Sequence, residues 1–193
     1  MTKLTILLVD NDSHRSDMVN KALQDAGHTV IAKLIDDVDL SNNVLSLQPD
    51  IIIIDIDAPG RDTLEQMRQI QRDQAKPIVL FSAPNDQGFM QEAIQAGVSA
   101  YMLEGINQTQ IMPVVEVAVA RFREFQALRL ELEDVKSKLA DRKIIEKAKG
   151  MIMSRKGLDE DGAYQLLRKN AMSQNKRLID VARTLVSVEE LLG

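Results

Sequence analysis

Cysteine is absent from the 193 residues, so neither a disulfide nor a thiolate metal site can form, and the chain suits a reducing compartment. Also missing are a signal-peptide pattern and any apolar run of membrane-spanning length, which points to a cytoplasmic protein with no membrane partner. No long internal repeat or low-complexity tract appears. Glycine and proline are lacking over one extended stretch, Val114 to Leu139, where nothing interrupts a helix. What remains is an ordinary balance, 45% hydrophobic and 27% charged, sufficient for one full domain and a small second one. The net charge of -5 is unevenly spread. From Asp141 onward eleven Lys/Arg stand against eight Asp/Glu, so the acidic excess lies wholly before that point. This permits an acidic signalling half and a basic binding half.

Up to about residue 112, short apolar runs alternate with amphipathic stretches. "LTILLVD" (4–10), "HTVIAKL" (28–34), "DIIIID" (50–55), "PIVLFSA" (77–83) and "SAYMLE" (99–104) read as strands. Between them lie helical patterns; the first carries Met18, Val19, Ala22 and Leu23 and stops at Gly27. Strands apolar on both faces and separated by helices predict a five-stranded parallel sheet with helices on both sides, in right-handed βα units. Ligands of such sheets bind beyond the carboxyl ends of the strands.

After Pro113 the pattern changes. Val114, Ala118, Arg121, Phe125, Leu128, Leu132, Val135 and Leu139 step by four and three, and seven of the eight are apolar. A heptad seam of this length predicts a dimeric coiled coil, with Phe125, Leu128, Leu132, Val135 and Leu139 as its core. The alternative is one helix packed on its own domain. Three further helical patterns follow, punctuated at Gly157 and near Ser173: "RKIIEKAKGMIMSRK", "DEDGAYQLLRKNAM" and "RLIDVARTLVSVEELL". Helices of this size predict a small three-helix bundle.

Asp10, Asp12, Asp55 and Asp57 stand at or just after the ends of two central strands, where they could converge. Oxygen ligands of this kind suit a hard cation such as Mg²⁺, with Asp10, Asp12 and Asp55 as candidate ligands. An aspartate can also attack phosphorus to give an acyl phosphate. Ser82, at the end of the fourth strand, could donate to a phosphoryl oxygen. Through "LLVDND", "PDIIIIDIDAPGRDTLE", "VLFSA" and "AGVSAYMLEG", residues 3–122 resemble the receiver domain of two-component response regulators. The resemblance implies a flavodoxin-like α/β fold, Asp55 at the phosphoacceptor position, Asp10 as a metal-binding acid, and Ser82 and Tyr101 at the switch positions. Two departures stand out. Asn11 replaces the family's second metal-binding acid, and Glu104 replaces the lysine that offsets the acceptor's charge. If Asp12, Asp57 and Glu104 all face the pocket, a phosphoryl group there would meet several anions and no fixed cation.

The tail resembles the ANTAR domain of the AmiR/NasT antitermination family, through "IIEKAKGMIMSRKGLDEDGAYQLLRKNAM" and "KRLIDVARTLV". Within that family the chain is most similar to regulators of nitrate and nitrite assimilation genes. The resemblance implies binding to paired stem-loops in nascent leader RNA, and a nitrate- or nitrite-sensing NasS-like regulatory protein as partner. Lys149, Arg155, Lys156, Arg168, Lys169 and Arg177 could form the basic RNA-binding surface, although a solvated helix face is the blander reading. Tyr164, the only aromatic of this segment, is expected between helices, with stacking on a base as the alternative; Ala148 and Gly150 would allow close approach.

The expected organisation is thus a receiver-like domain over 1–122, a coiled-coil linker helix over 114–140 that overlaps its end, and an RNA-binding domain over 132–193. The expected function is transcription antitermination by a homodimer. It is not an enzyme, requires no cofactor, and is governed by a protein partner in place of Asp55 chemistry. The competing readings are a regulator switched by phosphorylation of Asp55 with RNA- or DNA-binding output, a DNA-binding regulator, and a purely structural adaptor.

Overall fold

The computed structural model describes residues 3–35, 39–56, 59–82, 87–103 and 111–192. The chain divides into two compact units, Met1–Gln126 and Ala127–Gly193.

In the first unit, the strands are β1 (Thr5–Asp10), β2 (Thr29–Leu34), β3 (Ile51–Asp55), β4 (Ile78–Ser82) and β5 (Ala100–Leu103). Between them run α1 (Ser13–Asp25), α2 (Leu40–Leu47), α3 (Arg61–Asp73) and α4 (Gln87–Gln95); α5 (Ile111–Lys156) follows β5. All pairings are parallel, in the order β2-β1-β3-β4-β5. The expected α/β receiver-like fold is therefore present. The isoleucine run explains how the sheet is held: alternate side chains of a strand point to opposite faces. Ile52 and Ile54 pack with Leu64, Met67 and Ile70 of α3, while Ile51 and Ile53 pack with Val19 and Leu23 of α1 and with Ile111, Val115 and Ala118 of α5. A strand covered on both faces cannot alternate in polarity, which is why four isoleucines run consecutively. Gly27, the predicted stop of α1, adopts φ +86, a conformation costly for residues with a Cβ.

The reversal of strand order between β1 and β3 opens a crevice at their carboxyl ends, the usual ligand position of such sheets. Asp10 and Asp55 are register partners there.

The first two seam positions serve the receiver-like core, since Ala118 is fully buried and Val114 packs beside it. Phe125, Leu128, Leu132, Val135 and Leu139 are all more than half exposed in the single chain.

The second unit closes around Ala148 and Ile152 of α5, Ala163 and Leu167 of α6 (Glu160–Ser173), and Ala182 and Val186 of α7 (Leu178–Leu192). Asp159 caps α6 by accepting from the Gly162 amide at 2.8 Å, and Glu160 and Asp161 follow in the first turn, where acids complement the helix dipole.

Candidate functional site

The acidic pocket is built where β1 and β3 end side by side. Asp10 and Asp55 are buried, with side chains 0% and 3% exposed. Two buried carboxylates cannot stand without compensation, and the compensating group is Arg15. Its Nε lies 2.9 Å from Oδ2 of Asp55, and its Nη2 lies 2.9 Å from Oδ1 of Asp10. The same Nη2 also donates to Asn11 Oδ1 at 3.1 Å and to the Asp55 carbonyl at 3.4 Å. The Asp12 amide donates to Asp10 Oδ1 at 2.8 Å, which fixes the carboxylate from the backbone side.

This corrects two expectations. The pocket does contain a fixed cation, supplied by Arg15. Asp12 does not join the acids; it is exposed and serves as N-cap of α1, its Oδ1 accepting from the His14 amide at 2.9 Å and the Arg15 amide at 3.1 Å. Those backbone hydrogen bonds, from Arg15 first and then His14, hold the Asp12 carboxyl below its ordinary value. The Mg²⁺ set of Asp10, Asp12 and Asp55 is therefore not assembled, and among the described residues no group of three His, Cys, Asp or Glu could hold a metal. Among the described residues, the Asp10 oxygens and Asp55 Oδ2 are engaged by a guanidinium, an arrangement that does not fit a divalent cation.

Asp57 and Glu104 lie outside the described residues. Ser82 is buried at the end of β4, one strand from Asp55. Tyr101 is half-buried on β5, its ring centroid 6.5 Å from that of Phe89 on α4.

The basic residues of the tail divide into engaged and unengaged groups. Lys149 is only 7% exposed and pairs with Glu160 at 2.7 Å and Glu146 at 2.9 Å, so its assignment to an RNA-binding surface is corrected: it is a strut of the bundle. Arg155 pairs with Glu189 at 2.5 Å, joining α5 to α7. Arg177 makes a two-pronged contact with Asp180, both hydrogen bonds 2.9 Å. Lys156 is exposed at the end of α5. Arg168 and Lys169 are exposed on α6 and form no ion pair among the described residues. They border a shallow concavity with Gln165, Met172 and Ser173. Met172 is 72% exposed, and Tyr164, expected to be buried, is 37% exposed. Tyr164, Arg168 and Met172 are four residues apart along α6 and so share a face.

A model of the response regulator receiver domain matches residues 6–116, more than half of the chain. The chain belongs to the response-regulator receiver family. An ANTAR domain model matches residues 133–186, which makes α6 and its open basic face part of an ANTAR domain. Of the curated relatives, the transcriptional regulatory protein PdtaR of Mycobacterium tuberculosis is 26% identical over 188 residues, 97% of this chain and 90% of that protein. The nitrate regulatory protein of Klebsiella oxytoca is 40% identical over 82 residues, 42% of this chain and 20% of that protein. Among solved structures, a LuxR-family response regulator from Aurantimonas sp. superposes with a TM-score of 0.55 at 24% identity, covering 62% of this chain and 86% of that one. The signal receiver domain of the response regulator NarL of Mycobacterium tuberculosis gives 0.55 at 20% identity, covering 62% and 98%. Likenesses at this identity show the receiver fold alone. No helix among the described residues is long and apolar enough to cross a membrane.

Against this receiver background, Arg15 is the pocket residue that motif and periodicity did not disclose. Its signal was present: Arg15 lies in the first turn of α1, three residues after the cap, where the helix dipole disfavours a cation. An arginine in that place needs an anionic partner, and the ends of β1 and β3 supply two.

Proposed function

We propose that this protein is a transcription antiterminator that binds paired stem-loops in nascent leader mRNA of nitrate or nitrite assimilation genes. The observation that carries the reading is the open face of α6 within the ANTAR domain. Two cations without an ion pair among the described residues, Arg168 and Lys169, stand there beside the partly exposed Tyr164 and the exposed Met172. Specific RNA recognition uses accessible loop bases, stacked on aromatic or guanidinium planes and hydrogen-bonded at their edges. This face offers both planes within two helical turns, with cations to contact phosphates. Lys156 extends the basic character; Arg155 and Arg177 would have to leave carboxylate partners to join it.

In this reading residues 1–122 form the regulatory receiver, 132–193 the RNA-binding domain, and 114–140 the linker helix whose exposed seam joins two copies. A homodimer would present two ANTAR domains to two loops, and tethering raises the effective concentration for the second contact. Control comes from a cytoplasmic NasS-like nitrate- or nitrite-sensing protein in place of phosphorylation. The name of the Klebsiella relative supports the nitrate connection. A second reading, phosphorylation of Asp55 with the same output, draws support from the adjacency of Asp55 and Ser82 at the ends of neighbouring strands. Radiolabelled acetyl phosphate incorporated at Asp55 would favour it.

The test is recovery of bound fragments from total cellular RNA, followed by gel shifts of the recovered leader against duplex DNA of the same sequence. Enrichment of paired stem-loops upstream of nitrate or nitrite genes is expected. Equal binding to the duplex, or no enriched RNA, would sink the proposal.

A further inference from the structure

The receiver pocket carries its own cation, covalently attached. Arg15 touches Asp10, Asn11 and Asp55 with one guanidinium, and these acceptors come from two neighbouring strands and the loop after β1. The contact is geometrically specific. Nε is placed between the two carboxylates, 2.9 Å from Asp55 Oδ2 and 3.2 and 3.3 Å from the two oxygens of Asp10. A guanidinium is planar, permanently charged and less strongly hydrated than an ammonium, which suits it to a largely buried position; the Arg15 side chain is 20% exposed. The residue at position 11 fits the same logic. Among the described residues, a third carboxylate there would set three negative charges against the one guanidinium. Asn11 instead offers a neutral acceptor to Nη2.

We propose that Arg15 is a built-in substitute for the divalent cation, a guanidinium lock that joins the carboxylates of β1 and β3 and keeps metal out of the receiver. The lock has two chemical consequences. The oxygens of Asp10 that would coordinate a hard cation accept hydrogen bonds from Arg15, and Asp55 Oδ2 is ion-paired to the same group, so Mg²⁺ must displace a tethered charge before it can bind. The charge of Asp55 Oδ2 is balanced by the guanidinium 2.9 Å away, which lowers its nucleophilicity toward a phosphoryl donor. With Asp10 and Asp55 held by Arg15, the receiver takes its signal as a binding event on its surface. This deepens the reading of control without phosphorylation and rests on it.

The probe is Mn²⁺, titrated into the full-length protein and followed by the paramagnetic resonance signal of the free ion, with Mg²⁺ as competitor. Wild type is expected to show no saturable site into the millimolar range. Arg15→Ala should acquire one site that Mg²⁺ competes for, binding at least about tenfold more tightly than wild type, and Arg15→Ala with Asp55→Asn should lose it again. Submillimolar, Mg²⁺-competed binding by wild type overturns the lock, as does an Arg15→Ala protein that gains nothing. If Arg15→Ala does not fold, Arg15→Lys decides. Its compact, strongly hydrated ammonium lacks the planar fork that meets Asp10, Asn11 and Asp55 together, so it should bind Mn²⁺ detectably, and binding no better than wild type overturns the proposal. Acetyl phosphate labelling of the same proteins separates the two ideas: label on wild-type Asp55 overturns control without phosphorylation, whereas metal binding by unlabelled wild type overturns only the lock.

Discussion

Nζ of Lys149 lies 2.7 Å from Oε1 of Glu160, so this cation ties the last turns of α5 to the first turn of α6. Its hydrogen bond to Glu160, followed by that to Glu146, holds the ammonium above the usual lysine value, and the same contact holds Glu160 below the usual glutamate value. A raised lysine contributes stability that is complete below its unfolded value near 10.5 and disappears as pH rises through the folded one. A depressed glutamate contributes stability that is complete above 4.5 and disappears as pH falls through its folded value. Lys149→Met should therefore lower the melting temperature of the ANTAR unit most between those limits, and flatten its pH dependence. Circular dichroism melts across pH would show this. An unchanged melting temperature with weakened RNA affinity would return Lys149 to the RNA-binding face.

Replacing both Arg168 and Lys169 by Ala should weaken leader RNA binding while leaving helicity unchanged. The slope of log affinity against log salt should fall by about 1 for each phosphate that the two side chains no longer neutralise. Filter binding over a potassium chloride series measures both quantities. A slope equal to wild type would place the RNA elsewhere.

Leu128 and Leu132 are 58% and 52% exposed in the single chain. If they form the seam between two copies, Leu128→Asp with Leu132→Asp puts like charges into an apolar interface. Sedimentation should then show monomer at concentrations where wild type is dimeric. A dimer that survives the double substitution refutes the seam.

Asp55→Asn removes one of the carboxylates paired with Arg15 and leaves Asp10 in place. Antitermination, read from a reporter downstream of the recovered leader, should remain close to wild type. Complete loss of activity in a variant that still folds would make Asp55 the working switch.

The sheet was legible because buried parallel strands leave an unmistakable mark, runs such as Ile51–Ile54 with no polar residue between them. The convergence of Asp10 and Asp55 was legible too, since each ends a central strand. Asp12 was misplaced because two roles compete for an aspartate after a strand, ligand or helix cap. The cap prevailed once the His14 and Arg15 amides needed an acceptor. Lys149 and Tyr164 failed for a different reason. Helical spacing names a face but not what another helix lays against it, and α6 brings Glu160 to Lys149 while leaving the Tyr164 face open. Arg15 required the opposite inference, from an electrostatically unfavourable place on α1 to the anions that hold it there.

Half of the innermost residues of the ANTAR core are alanines: Ala148, Ala163 and Ala182 stand with Ile152, Leu167 and Val186. Alanine packs helices closely but removes little apolar surface from water, so a unit of this size gains only a narrow margin of stability from its own interior. Any species that binds only the folded form adds to that margin, by about 2.7 kcal/mol at a hundredfold excess over its dissociation constant. For so small a core that increment is comparable to the margin itself. Occupancy by a stem-loop and the ordering of α5, α6 and α7 then become two measures of one equilibrium, and a melting curve would serve as a binding isotherm.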